Sequence, residues 1–274
     1  MPELPEVETV KRTLDQLILN KTVQDIEVKW DNIIQRPKEV QEFIELLVDQ
    51  TVQSVSRRGK FLLIYFDTHV LVSHLRMEGK YAVHPTDAEV ANHTHVLFHF
   101  TDGTDLRYQD VRKFGTMHIF QIGEEFNHAP LNQLGPEPFS DSFTADYLYE
   151  RLHRTSRHVK TALLDQTVVA GLGNIYVDEV LFNAGIHPMR RGMDLTHGET
   201  EVLVKETAAV LASSIEQGGS TIRTYLNSQG QIGSFQKQLN VYSKEDEPCV
   251  TCGAPIVKMK VGQRGTHVCL NCQK

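Results

Sequence analysis

The sequence predicts an α+β protein of two domains, a β-sandwich or barrel followed by a helical domain that ends in a metal-binding hairpin. Three observations carry this reading. Short β-rich runs separated by turn signals fill the N-terminal half, helical periodicity takes over from residue 145, and all four cysteines lie near the C-terminus as two Cys-x-x-Cys pairs.

In chain order, Val7, Val10, Leu14, Leu17 and Ile18 recur at helical spacing and predict an amphipathic helix over 7–18. Ahead of it stands Met1-Pro2-Glu3-Leu4-Pro5-Glu6-Val7-Glu8. Proline and glutamate suit a first helical turn. The same residues also have a chemical reading. With Met1 removed, Pro2 presents a secondary amine, and an α-amino group with a pKa of about 7.7–8.0 is partly free base at neutral pH. Such an amine attacking an aldehyde-like carbon yields a cationic iminium, the electron sink of covalent amine catalysis.

Strands are predicted over 23–30, 51–56, 61–66, 70–75 and 95–100, with one helical interruption over 39–48. Asp102-Gly103 reads as a hairpin turn into a strand over 105–108. Such a series suits a sandwich or a barrel. Periodicity stops over 123–143, where Pro130, Pro136 and Pro138 mark a linker. Helices follow over 145–153, 158–166, 174–184 with Gly185 as the stop, and 196–217. The last opens on the capping box of Thr196 and Glu199 and closes at Gly218-Gly219.

At 274 residues, 40% hydrophobic and 23% charged, the chain has the composition of a soluble globular protein long enough for two cores. It has no apolar run near the ~20 residues that span a bilayer and no signal-peptide pattern, so a cytoplasmic location is expected. The formal charge of −7 weighs mildly against nucleic acid as a partner. Phosphate binding follows local clusters, however, and Arg57-Arg58-Gly59-Lys60, Arg107 with Arg112-Lys113, and Arg151, Arg154, Arg157 and Lys160 are locally basic. Solvated faces are the plainer account of each.

The spacing C-x2-C-x16-C-x2-C of Cys249, Cys252, Cys269 and Cys272 is that of a structural zinc site. Each tight turn aims two thiolates at one ion, and four thiolates fill its tetrahedron, so this zinc holds structure and does not activate water. From residue 216 onward seven basic side chains face four acidic ones, Arg264 among the former, which suits a nucleic-acid contact or a stabilised terminus. Gly171-Leu172-Gly173-Asn174 joins two predicted helices, and a helix N-terminus there offers N–H groups to a phosphate. Met77, Arg112 and Phe114 combine the side-chain types that wedge between bases, although core packing is the ordinary fate of Met and Phe.

Together these stretches fall into a known order. Pro-Glu-Leu-Pro-Glu-Val-Glu, Arg58-Gly59-Lys60, His74-Leu75-Arg76-Met77-Glu78-Gly79, Asp110-Val111-Arg112-Lys113-Phe114-Gly115, Gly171-Leu172-Gly173-Asn174-Ile175-Tyr176 and the four-cysteine finger resemble the bacterial formamidopyrimidine-DNA glycosylases over essentially the whole chain. The resemblance implies an N-terminal β-sandwich with flanking helices (1–133), a linker (134–145), a helical domain with a helix–two-turns–helix element and a lesion-recognition loop (146–236), and a zinc-finger hairpin (237–274), with double-stranded DNA bound in the cleft. It implies excision of oxidised purines, 8-oxoguanine and formamidopyrimidines, followed by β,δ-elimination at the abasic site. Pro2 corresponds to the nucleophile, Glu3 to the proton donor, Glu6 to a supporting carboxylate, Lys60 to the lysine at the phosphates and Arg264 to the finger arginine. Met77, Arg112 and Phe114 match the void-filling residues, and His74, His93, Lys160 and Asn174 further DNA contacts. The resemblance further implies one structural zinc ion, no organic cofactor and a monomer. Leu4 argues against the related endonuclease-eight-like branch for oxidised pyrimidines, which starts Pro-Glu-Gly-Pro-Glu. The presence of Pro2, Glu3 and Lys60 argues against a non-catalytic DNA-binding protein.

Overall fold

The computed structural model of the chain describes residues 1–220 and 233–274. It divides into two compact units, Met1–Asn132 with Gly218–Gly233, and Gln133–Gln217 with Ser234–Lys274. No described helix is long and apolar enough to cross a membrane.

The first unit opens with α1 (Leu4–Ile18), β1 (Val23–Val28), β2 (Ile34–Arg36) and α2 (Val40–Glu45). The strands β3 (Ser54–Arg58), β4 (Phe61–Tyr65), β5 (His69–His74), β6 (Lys80–Pro85), β7 (Thr94–Phe100), β8 (Thr104–Gln109) and β9 (Thr116–Gln121) complete it. They form two sheets, β1-β7-β8-β6 and β2-β9-β5-β4-β3, all antiparallel except the β2–β9 pair. One core takes side chains from both sheets, including Phe98, Leu106, Leu62 and Leu71, and Val7, Val10, Leu14 and Ile18 of α1 pack into it. The 3.6-residue spacing of those four positions makes α1 a cover on the sheets. Asp15 of α1 accepts the Val55 N–H at 3.0 Å, which fixes the helix to β3.

The second unit contains α3 (Ala145–His153), α4 (Val159–Leu163), α5 (Asn174–Asn183) and α6 (His197–Glu216), then the hairpin β10 (Val257–Val261) and β11 (Arg264–Val268). Thr196 and Glu199 form the expected capping box of α6, and Gly185 ends α5 with φ +69°.

Three strands escaped the sequence reading. β2 has only three residues, β6 carries Lys80, His84 and Pro85, and β9 begins directly after a tight turn. Of the stretch after Gly218-Gly219, where the resemblance puts the lesion-recognition loop, residues 221–232 lie outside the described residues. Its described root, at Gly219 and Ser220, meets Glu6 of α1, whose buried carboxylate accepts the Ser220 N–H at 2.7 Å.

Candidate functional site

The chain start is buried. Pro2, Glu3 and Glu6 lie below the surface at the head of α1, with Glu3 as N-cap, while Met1 is exposed. Glu3 and Glu6 form a reciprocal capping box in which Glu6 Oε2 accepts the Glu3 N–H at 2.8 Å. A helix cap therefore fixes the backbone of the dipeptide that would supply amine and acid.

Lys60 follows Gly59 in the tight β3–β4 turn, where Gly59 has φ +56°, and it is 5% exposed. Arg57 secures this turn. Its Nη1 donates to the Gly59 carbonyl at 3.0 Å, and its Nε meets Glu8 of α1 at 3.1 Å. The same arginine thus ties the lysine turn to the helix that follows Pro2 and Glu3.

His74 closes β5 opposite Phe61, its ring edge against that phenyl at 4.5 Å. Burial drives its pKa down to about 3, helped by the Arg76, Lys60 and His118 charges. The ring is neutral at pH 7. Because its Nδ1 accepts the Arg76 N–H at 2.9 Å, the proton sits on Nε2, which leaves that atom a donor.

Two turns present the expected void-filling set. In 110–115 the Asp110 carboxylate collects the N–H groups of Arg112, Phe114 and Gly115 at 3.0, 2.8 and 2.8 Å, and its own N–H donates to the His93 carbonyl at 3.0 Å. Lys113 takes φ +56°, with its ammonium 4.0 Å from the Trp30 ring centroid. Arg112 lies over the Phe114 ring at 4.6 Å, and the ring is half exposed. In 75–79 the Gly79 N–H closes on the Leu75 carbonyl, and Met77 is exposed. Both turns end on the Tyr108 hydroxyl, where a Cβ would come within 2.2 Å at Gly79 and 1.7 Å at Gly115. This close approach explains both glycines and holds the two turns on one side chain. His93 is exposed at the start of the same region, with φ +64°.

The second unit gathers a separate set. α4 and α5 are joined through Gly171 at φ +96°, and Asn174 begins α5. The Gly265 carbonyl in the finger accepts from Asn174 Nδ2 at 2.9 Å and from Lys160 Nζ at 3.1 Å. Lys160 pairs with Asp178 at 2.6 Å with both side chains fully buried, and Asp178 also accepts the His267 N–H at 2.9 Å. Lys160, expected as a DNA contact, is a buried strut in this structure, and its place in a basic sequence run gave no hint of that. Arg107 corrects the same kind of expectation. It is buried on Asp105 and the carbonyls of Pro85, Ala88 and Glu89. Neighbouring Glu179 accepts the N–H groups of Asn240, Val241 and Tyr242 at 2.8 to 2.9 Å, a residue the sequence reading missed. Arg264 is exposed at the finger turn, and at Gly262 a Cβ would lie 2.6 Å from the Thr161 hydroxyl.

The four cysteine sulfurs lie within 4.8 Å of one another, with Cys249–Cys272 at 3.9 Å and Cys252–Cys269 at 3.5 Å. A tetrahedron with Zn–S bonds of about 2.3 Å has edges of about 3.8 Å, so the donor set fits one zinc ion with no open position.

Fold and site define a two-domain zinc-finger protein with Pro2 buried at the capped head of a helix on a β-sandwich. Residues 1–117 match the formamidopyrimidine-DNA glycosylase N-terminal domain, 134–226 the H2TH domain of the same enzymes, and 246–274 the zinc finger found in FPG and IleRS. The formamidopyrimidine-DNA glycosylase of Bacillus licheniformis is 61% identical over 274 residues, covering 100% of both chains. That of Bacillus subtilis is 56% identical over 273 residues, covering 100% of this chain and 99% of its own. Lactococcus lactis Fpg in complex with abasic-site DNA superimposes with a TM-score of 0.93 at 40% identity, covering 99% of each chain. The same protein with DNA containing N7-benzyl-Fapy-dG gives 0.93 at 40% identity over 100% of each chain. The chain belongs to the formamidopyrimidine-DNA glycosylase family.

Proposed function

We propose that this protein is a bifunctional DNA glycosylase and abasic-site lyase of bacterial base excision repair, acting on formamidopyrimidines and 8-oxoguanine in duplex DNA. The observation that carries this reading is the buried Pro2-Glu3 start, capped by Glu6 and tied through Glu8 and Arg57 to the turn that bears Lys60. Its relatives' complexes with abasic-site and Fapy-dG DNA supply the substrate class.

A base stacked in a duplex is out of reach of an enzyme amine, so it is extruded at a cost of a few kcal/mol. Met77, Arg112 and Phe114 fill the gap and offset part of that cost, with Arg112 facing the orphaned base. His74, His93 and Asn174 contact the strand, His74 through its Nε2–H and Asn174 at the start of α5. The free amine of Pro2 attacks C1′, the base leaves with a proton, and Glu3 protonates the ring oxygen as the sugar opens. The resulting iminium withdraws electrons and acidifies the 2′ hydrogen, so β-elimination expels the 3′ phosphate. Lys60 lies at the phosphates as a proton donor in that step. Arg264 clamps phosphate and assists δ-elimination. The zinc ion, when bound to Cys249, Cys252, Cys269 and Cys272, supplies the structural crosslink that shapes the finger. The domains follow as 1–133, a linker 134–145, 146–236 and 237–274, in a cytoplasmic monomer.

Borohydride reduction tests the reading. It traps a covalent complex with duplex DNA carrying 8-oxoguanine or a formamidopyrimidine, and Pro2→Gly weakens or abolishes the trapped band. Intact mass of the active protein begins at Pro2, because an attached Met1 makes the Pro2 nitrogen an amide. Absence of a trapped band with wild-type protein, or full activity with Met1 retained, overturns the proposal.

A further inference from the structure

Glu6 has two carboxylate oxygens and uses them in opposite directions along the chain. Oε2 accepts the Glu3 N–H at 2.8 Å, and Oε1 accepts both the Ser220 N–H at 2.7 Å and the Ser220 hydroxyl at 3.1 Å. The side chain is 4% exposed and Ser220 is 5% exposed. This contact joins positions 214 residues apart, so no local periodicity reports it.

The backbone around it is shaped for close approach. Gly219 has φ +82°, and a Cβ there would lie 2.8 Å from Glu6 Oε1 and 3.2 Å from its carboxyl carbon. A Cβ on Gly233 would lie 2.3 Å from the Gly219 carbonyl oxygen and 2.5 Å from that of Gly218. A larger residue at 219 would meet the carboxylate in a conformation that L side chains rarely adopt. Glutamine is a poor replacement for Glu6 as well. Its amide carries one acceptor oxygen, so one of the two backbone N–H donors would face an NH2 group.

We propose that Glu6 is a positioning residue that registers residues 219 and 220 against the Pro2-Glu3 dipeptide, so that base capture and attack at C1′ are aligned through one carboxylate. The proposal rests on the glycosylase reading above and gives Glu6 a task distinct from proton transfer. Base release requires the base and C1′ to be held in register with the amine. Cleavage at a preformed abasic site has no base to register. The two activities therefore respond differently when the 219–220 contact is disturbed, whereas general loss of folding lowers both.

The test compares single-turnover excision of a formamidopyrimidine with strand cleavage and borohydride trapping on abasic-site duplex. Misplacement of reacting groups by about 1 Å costs on the order of a hundredfold. Gly219→Ala is expected to slow excision about that much while abasic-site cleavage stays near wild type. Ser220→Ala, which removes the hydroxyl bond and keeps the N–H, is expected to slow excision roughly five- to tenfold, about the worth of one hydrogen bond. Combining Glu6→Gln with Gly219→Ala should give less than the product of the single losses, because both act on one contact. Circular dichroism and Tm check folding of each variant. Equal loss of both activities, unchanged excision in Gly219→Ala and Ser220→Ala, or fully multiplicative losses would each overturn the coupling. A wild-type protein that neither excises nor traps abasic DNA would instead remove the glycosylase reading on which it rests.

Discussion

The sandwich unit and the finger present side chains by different physical means. In the sandwich, carboxylates collect backbone N–H groups: Asp110 binds three amides of one turn, and Glu6 binds those of Glu3 and Ser220. Beneath them lies a large core drawn from two sheets and α1. In the finger, Val241, Cys249, Ile256 and Cys269 cluster with Phe182 of α5, so two of the five side chains in that cluster are metal-ligand cysteines. A two-stranded hairpin is marginal by itself, so this one draws stability from the metal and from the charges buried against α5. A turn on the large core can lose one anchor and keep its neighbours. The finger loses its shape as a unit.

Removing zinc tests this contrast most severely. Apparent binding energies of about 10–16 kcal/mol for structural zinc in finger peptides make metal and fold inseparable there. Chelation or Cys249→Ser should weaken DNA binding by orders of magnitude while the sandwich retains its strand signal in circular dichroism. Unchanged affinity in demonstrably zinc-free protein would contradict the assignment of DNA contacts to the finger.

Next in size is the buried pair. Asp178→Ala takes the carboxylate from the buried Lys160 ammonium and the acceptor from the His267 N–H, and breaking such a pair costs about 3–5 kcal/mol. Tm should fall clearly, and it should fall less when Lys160→Met accompanies the change. An unaltered Tm in Asp178→Ala would show that the strut is dispensable.

Acid titration gives the smallest effect near neutrality and belongs to the sandwich. Burial holds the pKa of His74 at about 3 and that of His118 at about 4, both below the ordinary value of about 6.5. The unfolded chain binds those protons first as pH drops. Stability is fully present above pH 6.5 and is lost as pH falls towards the folded values. Urea unfolding of wild type against His74→Gln should diverge only below pH 6.5, with the variant the less acid-sensitive.

Local pattern made much of this legible and distance hid the rest. The α1 stripe, the β7–β8 turn at Gly103, the α6 capping box and the paired cysteines are written in residues a few positions apart. Lys160 with Asp178 and Glu6 with Ser220 are non-local. A basic run containing Lys160 looks the same in sequence whether its lysine is solvated or buried. Charge type was readable, but the partner that decides its role was not. For the candidate site, motif order named the candidate side chains, whereas the shared Tyr108 seat of Gly79 and Gly115 required coordinates.

The Asp110 turn also bears on how the protein behaves at high concentration without DNA. It holds Phe114 half exposed on the surface of the sandwich, a position that invites self-association. Arg112 stacks on that ring, covering one face and placing a full positive charge there. Copies meeting ring to ring would have to bring like charges together, so the guanidinium disfavours self-association at the one ring the turn exposes.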